Sequence, residues 1–400
     1  MEYKYVARDV GGRKVTGTME AANPRVVARE LRKEGLYPLS IAPKKRGLAI
    51  GLPFLNRVGL KQVAIFTRQV GSMVGAGIAL PSALEIVSEQ VKNKRLRQVI
   101  IDVKNEVEGG SKFSETLAKY PDVFDRLLVS MVEAGEATGN LDTMLSRYFM
   151  YAEKVLALRR KVITAMVYPS VVLVLAVLIL AFLLIKIVPT FVALFRESGV
   201  ELPALTAFII NLSNFTKSNF LYVVLSLVVF FILFRIALRN ENVRRVYDRL
   251  KLRMIILGPL IRKVSVARFS RTLATMVKSG IPILEAMDII AKTSGNKVIE
   301  EAVLKARAEV ARGESLSKSL KETGVLPNMV IQMMAAGEQT GALDEMMDKV
   351  ADFFDEEVDA AVAALTSLLE PLMLIFLGGF IGLIVVALYL PIFKMAATIH

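Results

Sequence analysis

The chain has 400 residues, with 51 Lys and Arg against 38 Asp and Glu, a formal net charge of +13, one His, no Cys and no Trp. The missing cysteines exclude disulfides, zinc ribbons and thiol chemistry, and a single His, at position 400, excludes His-triad enzymes and multi-His metal sites. At 54% hydrophobic and 22% charged residues the chain is more apolar than an ordinary soluble protein, and a membrane is the place for the excess.

Residues 1–45 read as a small α+β unit. Tyr3 to Arg8 and Arg13 to Thr18 flank Gly11-Gly12 and predict a hairpin; Asn23-Pro24 predicts a helix start, Gly35 its end, and Leu36 to Ile41 a third strand. Glu2, Asp9, Arg13 and Lys14 interrupt the opening, which has no apolar leader core, so the amino terminus is expected to stay in the cytoplasm. Arg25, Arg29, Arg32 and Lys33 on the helix are candidates for a partner or lipid headgroups, and a solvated helix face explains them equally well. A linker is expected over 46–59.

Residues 60–161 read as a cytoplasmic helical domain of about six antiparallel helices. Gly77 stops one helix and Pro81 lies near the next start; Gly109-Gly110 marks a turn, with Ser111 placed to cap the next helix. Leu141, Met144, Leu145, Tyr148, Phe149, Ala152, Val155 and Leu156 fall at helical steps. Val162 to Ile185 then carries no charge over 24 residues, sixteen of them Leu, Ile, Val or Phe. That composition favours insertion by roughly −5 to −10 kcal/mol, and the length reaches ~36 Å. It predicts a first transmembrane helix over 162–188. Beyond it are expected an outer loop over 189–217, a second span over 218–238, a second cytoplasmic helical domain over 239–359, a third span over 368–393 and an outer tail over 394–400.

Basic residues decide the orientation. Lys154, Arg159, Arg160 and Lys161 precede the first span, and Arg239, Arg244, Arg245, Arg249, Lys251 and Arg253 come after the second. Lys and Arg collect on the cytoplasmic side, which puts residues 1–161 and 239–359 inside and the carboxyl terminus outside. The net charge is then an attraction to an anionic inner leaflet; no aromatic residues interleave with the basic ones as a nucleic-acid reader needs.

The chain repeats itself. Phe66-Thr-Arg-Gln69 and Met73 to Ile78 answer Phe269-Ser-Arg-Thr272 and Met276 to Ile281 at an offset of 203, and Gly110 answers Gly313. Ala134-Gly-Glu-Ala-Thr-Gly139 answers Ala336-Gly-Glu-Gln-Thr-Gly341 at 202, as Pro169 answers Pro371 and Pro189 answers Pro391. Two parallel copies with both domains inside need an odd span between them. The repeated motif, Gly135, Glu136, Thr138, Gly139 and Gly337, Glu338, Thr340, Gly341, reads first as a helix corner. Gly135 admits a neighbouring backbone, Glu136 takes free amides at the next helix start, and Gly139 takes positive φ. The alternative is that Glu136 and Glu338 bind a partner or a cation. From Leu141 to Tyr168 and from Ala342 to Glu370 there is no Gly or Pro, so each domain's last helix is expected to run into the bilayer, bent at most near Pro169 or Pro371.

Chemistry is not expected of this chain. It has no Gly-Lys dipeptide and hence no phosphate loop, Gly75-Ala-Gly77 lacks the rest of a dinucleotide site, and no carboxylate pair sits inside a span. No enzyme activity, cofactor or metal is expected. A permease would want polar residues in mid-span, and a receptor would want a larger outer domain.

The sequence resembles the PilC/GspF family, the inner-membrane platform proteins of type IV pilus and type II secretion machines. The resemblance covers nearly the whole chain. It rests on Tyr3-Lys-Tyr-Val-Ala-Arg-Asp9 with Gly12 and Gly17, on Phe66-Thr-Arg-Gln69, on both Ala-Gly-Glu-x-Thr-Gly motifs, and on Tyr168-Pro169. It also rests on Glu201-Leu-Pro-Ala-Leu-Thr206 and Tyr389-Leu-Pro-Ile-Phe393. Half two departs at Thr272, where half one has Gln69. The resemblance implies a bacterial inner-membrane, multi-pass, homo-oligomeric protein. A cytoplasmic hexameric ATPase would engage it, pilin or pseudopilin subunits would join the fibre above it, and other inner-membrane machine components would surround it. The pilus machine is the expected setting and the secretion machine the alternative. The expected fold is mainly all-α and polytopic, with two repeated cytoplasmic helical bundles, three transmembrane helices and the small amino-terminal α+β unit.

Overall fold

In the computed structural model, residues 2–8, 14–20, 24–33, 35–43, 57–197, 202–255 and 257–398 are described, and the chain divides into two units, Met1–Arg57 and Val58–His400. In the first unit β1 (Glu2–Arg8) pairs antiparallel with β2 (Lys14–Glu20) and with β3 (Tyr37–Pro43), in the order β2-β1-β3. Tyr5 stands opposite both Gly17 and Ile41, and a register shift falls between Val6 and Ala7. The helix α1 (Pro24–Lys33) buries Val27 and Leu31 against Met19 and Leu36. Pro24, with φ preset and no N–H to satisfy, opens it, and Gly35 at φ 75° turns the chain away after it. Gly11-Gly12, Asn23 and most of the expected linker lie outside the described residues.

In the second unit, half one consists of α2 (Leu60–Gly75), α3 (Leu80–Gln90), α4 (Lys94–Glu108), α5 (Phe113–Ala118), α6 (Arg126–Thr138) and α7 (Leu141–Phe182). After a π-helical turn over Leu183–Ile187 come α8 (Val188–Glu197), α9 (Ala204–Ala237) and α10 (Glu241–Arg253). Half two repeats the first plan: α11 (Leu257–Lys278), α12 (Ile283–Thr293), α13 (Lys297–Val310), α14 (Leu316–Thr323), α15 (Asn328–Thr340) and α16 (Leu343–Thr398). Short polar side chains open several of these helices. Asn93 accepts from the Leu96 amide, Asp125 from Leu128, Asn296 from Val298 and Ser315 from Lys318. Glycines close them: Gly77 and Gly280, at φ 85° and 74°, sit where L-residues are strained.

The halves are not separate bodies. One continuous apolar core runs from Val63 in α2 through Phe66, Leu128 and Tyr148 to Phe269, Met334, Val358 and Leu365. α2 packs on α7, and its counterpart α11 packs on both α16 and α7. Where two bundles were expected, both sequence halves fall in one unit.

α7 with its extension is an unbroken rod over Leu141–Ala193, 53 residues and ~80 Å; the second rod runs over Leu343–Phe393. Both are long and apolar enough to cross a membrane, and only 11% and 17% of their most apolar windows are buried. Low burial removes the reading of core helices, because a core helix would be covered by protein. The helix runs on through Pro169 and Pro371, although each ring removes the bond that would return to the carbonyl of Ala165 or Ser367. Pro189 likewise has no hydrogen to give Ile185, and the π-helical turn lies there.

The expected outer loop over 189–217 is largely helix. α9 starts at Ala204, well before Ser218, because Leu205, Ile209 and Ile210 face Val188, Ile384, Ala387 and Leu388 in a second small core. Charges between two charge-free runs made this stretch look like loop, and its helices are held by the packing of α9 on α8 and α16. Within α9, Leu225–Ala237 is an apolar stretch shorter than those of the two rods.

Candidate functional site

The two repeated motifs build two equivalent corners. In half one, Gly135 of α6 lies so close to α7 that a Cβ added there would stand 3.0 Å from Leu141 Cα; at Gly337 the figure is 2.8 Å to Leu343 Cα. A side chain at Gly337 would push the α16 backbone away, and one at Gly135 would crowd α7. Gly139 and Gly341 then turn the chain, both at φ 71°, and the hydroxyls of Thr138 and Thr340 bond back to the Ala134 and Ala336 carbonyls at 2.8 Å.

Glu136 reaches backward rather than forward. Its carboxylate accepts from the amides of Phe113 at 2.6 Å and Ser114 at 3.2 Å, and from the Ser114 hydroxyl at 2.5 Å. These are the first amides of α5, the preceding helix, so the expectation that Glu136 would serve the next helix start is corrected. Ser111 is corrected with it: Lys112 occupies the cap position of α5 and makes no side-chain bond there, because Glu136 supplies the acceptor. Glu338 does the same in half two, accepting from Leu316 at 2.6 Å, Ser317 at 3.1 Å and the Ser317 hydroxyl. A carboxylate at a helix N-terminus meets unsatisfied N–H groups and the positive end of the helix dipole. No group of three or more metal-ligating side chains occurs among the described residues.

Of the other candidate residues, Pro169 and Pro371 sit inside α7 and α16. Arg29 and Lys33 are exposed on α1; the side chains of Arg25 and Arg32 lie outside what is described. α1 belongs to the first unit and the corners to the second.

A constellation that the sequence pattern did not reveal joins the halves where α7, α11 and α16 meet. Arg271 of α11, with a side chain 9% exposed, donates to Asp348 at 2.5 Å, Asp352 at 2.6 Å and Asp355 at 2.9 Å, all on α16. Burial works against its charge, but hydrogen bonds and attraction from these aspartates outweigh it and raise the Arg271 pKa. Burial also disfavours the charge on Asp352, and the contacts with Arg271 overcome it, holding this carboxyl below its ordinary value. Half one adds Lys154 to Asp352 at 3.4 Å and Lys161 to Asp359 at 2.6 Å. The two lysines are seven residues apart on α7, and so are the two aspartates on α16, two helical turns in each case. The seam is completed by Arg147 donating to the Lys278 carbonyl at 2.6 Å and by the Tyr151 and Thr272 hydroxyls, buried and 3.3 Å apart.

The two halves use their related arginines differently. Arg68, the counterpart of Arg271, lies over the Phe149 ring at 5.1 Å. The positions matching Asp348 and Asp352 are Ser146 and Met150, so no equivalent aspartate cluster forms around it. The signal for the cluster was present in the spacing of Asp348, Asp352, Asp355 and Asp359, which puts four acids on one face of α16. Its partner, at a distance of some eighty residues in the chain, was not visible.

At the far end of the rods two hydroxyls tie α9 to the others. Thr206 donates to the Ala387 carbonyl in α16 and Ser213 to the Leu184 carbonyl in the π-helical turn, both at 2.5 Å. The rods are thus held together at both ends, by charge below and by hydroxyls and the small apolar core above.

Comparison with known proteins matches these features. The profile of the family described as type II secretion system (T2SS), protein F, fits residues 66–189 and again 269–391, and that of its N-terminal domain fits residues 1–42. The chain is 46% identical to the type IV pilus assembly protein PilC of Thermus thermophilus, over 99% of this chain and 98% of that protein. It is 40% identical to the PilC of Myxococcus xanthus, over 100% of this chain and 96% of that protein. Against the type II secretion system protein F of Vibrio cholerae the figure is 34%, over 98% of each. The duplicated helical halves, the two long apolar rods and the full-length similarity lead to one assignment: the chain belongs to the PilC/GspF family of inner-membrane proteins.

Proposed function

We propose that this protein is the assembly platform of a type IV pilus, transmitting the motion of a cytoplasmic hexameric ATPase to pilin subunits that enter or leave the fibre base. Its work is mechanical, with no reacting group of its own. The observation that carries this reading is the continuity of α7 and α16, each one helix from the cytoplasmic core to the apolar end. A displacement of the seam around Arg271 then displaces both membrane segments, because a helix does not bend freely between its fixed ends. α9 is the third crossing, both halves and the amino terminus lie in the cytoplasm, and the carboxyl terminus lies outside. Identities of 46% and 40% to pilus assembly proteins, against 34% to a secretion protein, favour the pilus machine over a secretion platform. Other machine components, lipid and further copies of this chain surround it.

A deletion strain scored for surface fibres and for exported proteins tests this reading. Loss of fibres with export intact is expected; loss of export alone assigns the chain to a secretion machine, and loss of neither, with the ATPase still expressed, overturns the platform role. The native chain has no cysteine, so single cysteines at Ser111, Ser315 and Thr398 report topology cleanly. Labelling of the first two from one side and the third from the other is expected.

A further inference from the structure

Between the apolar stretch Leu225–Ala237 and the second half of the core lies α10, whose first turn Asn240 caps at the Asn242 amide. Val243, Val246, Leu250 and Met254 recur along it at helical steps, and they remain 40, 62, 63 and 45% exposed; Ile255 just beyond is 93% exposed. Basic residues flank this stripe. Arg245 pairs with Glu301, while Arg244 and Lys251 reach the buried Asp248. The ring of Phe234, near the end of α9, meets Tyr247 edge-on at 5.4 Å, so the stripe is continuous with the apolar surface of α9.

A cavity of about 340 Å³ lies beside α10, where it meets α7 and α11. One wall is apolar, from Val162, Ile163 and Leu260; the other carries Arg159, Lys251 and Arg268. Arg159 and Arg268 have no ion-pair partner among the described residues, and the Arg268 Nε is buried without a hydrogen bond, its Nη1 reaching only the Thr293 carbonyl at 3.4 Å. Asp248, the acid that lines the cavity, is already engaged by Lys251 and by the Lys297 amide at 2.9 Å. Val162 is the first residue of the charge-free stretch of α7, so the cavity lies where that helix changes from charged to apolar.

We propose that α10 lies in the cytoplasmic leaflet with its stripe among the acyl chains, and that the cavity beside it holds the headgroup of an anionic phospholipid. This rests on the reading of α9 as a crossing. Unpaired arginines next to an apolar wall fit a ligand that is a phosphate at one end and a hydrocarbon at the other. A basic helix with one apolar face, starting a few residues after a membrane segment, has the form of an in-plane interfacial helix.

The absence of tryptophan gives a clean optical test. Full-length protein is reconstituted into phosphatidylcholine–phosphatidylglycerol vesicles with L250W or, separately, V229W in the apolar stretch of α9. Brominated acyl chains are expected to quench both, with aqueous iodide reaching neither. Quenching of V229W by bromine but of L250W by iodide overturns the inference while leaving the α9 crossing intact. Failure of bromine to quench V229W overturns the crossing and, with it, this inference. Protection of L250W from both quenchers assigns the stripe to protein and overturns its lipid occupancy. For the cavity, phosphatidylglycerol retained through purification is measured by mass spectrometry. Arg159→Gln and Arg268→Gln should each lower it about fivefold, and Arg160→Gln, exposed and outside the cavity, should not. Arg159 is exposed, so its variant shows the effect even where Arg268→Gln unsettles α11. Unchanged retention in the Arg159 variant, or displacement of the lipid by inorganic phosphate alone, overturns the headgroup site.

Discussion

Glu136 and Glu338 each satisfy two backbone amides and a hydroxyl at the start of a helix; α5 has no side-chain cap of its own, whereas Ser315 also caps α14. Charge-assisted hydrogen bonds of this kind contribute more than neutral ones, so Glu136→Ala should lower the unfolding free energy by about 2 kcal/mol. Glu136→Gln, which keeps one acceptor, should lower it less. The two corners are distant in the chain and serve different helices, so the Glu136/Glu338 double variant should show the sum, measured by denaturant unfolding in detergent. Asp125 behaves in the opposite sense to Asp352. Burial pushes its carboxyl up from the ordinary value, and the bonds from the Leu128 amide and the Tyr148 hydroxyl only partly offset this. A carboxyl with a raised folded pKa stabilises most below its unfolded value, about pH 4, and loses that contribution as pH rises through the folded value. Asp125→Asn keeps the cap at Leu128 and removes a buried charge, so it should raise Tm at neutral pH and flatten the pH dependence. Asp352, held low by Arg271, contributes at neutral pH and loses its contribution as pH falls below about 4.

The contact between α11 and α16 depends on one guanidinium serving three carboxylates. Arg271→Ala leaves them facing one another. Two of the three side chains are more than half exposed, at 56% for Asp348 and 58% for Asp352, so water relieves much of the repulsion. A loss of about 1–3 kcal/mol is expected, below the cost of breaking a fully buried pair. Arg271→Met should lose less, because an unbranched apolar side chain still fills this buried position. Thermal unfolding at low and high salt checks this: added salt should weaken the native protein more than the Met variant. The exposed steps Lys154–Asp352 and Lys161–Asp359 contribute under about 1 kcal/mol each and act mainly to set the register of α7 against α16. The spacing of the acids on α16 was readable from the chain, as was the run of apolar residues in α7. Which arginine would meet the acids was not, because Arg68 and Arg271 stand in matching motifs and differ only in what the fold brings opposite them.

A protein that transmits motion through rods must keep them stiff between their attachments. Gly-Gly-Ser inserted after Val167, beyond the last ion pair at Lys161, should leave the helical core folded and, on the proposed function, abolish fibre assembly in the strain. A seven-residue helical insert at the same place turns the helix through nearly two whole turns and keeps the same face, so it should retain part of the activity. Normal assembly with the glycine insert would show that the rod carries no movement. Core folding is monitored by the unfolding transition, which both inserts should leave in place.

Local order in the chain was enough to reveal the duplication, the glycine-closed helix ends and the two long rods, because charge-free length, helical spacing and positive-φ glycines are properties of neighbouring residues. It did not reveal that Glu136 caps the helix behind it, that the stretch after Pro189 is mostly helix, or that both halves share one core around Arg271. Each of those depends on a partner many residues away, and a periodic pattern says which face is apolar or charged without saying what will be packed against it.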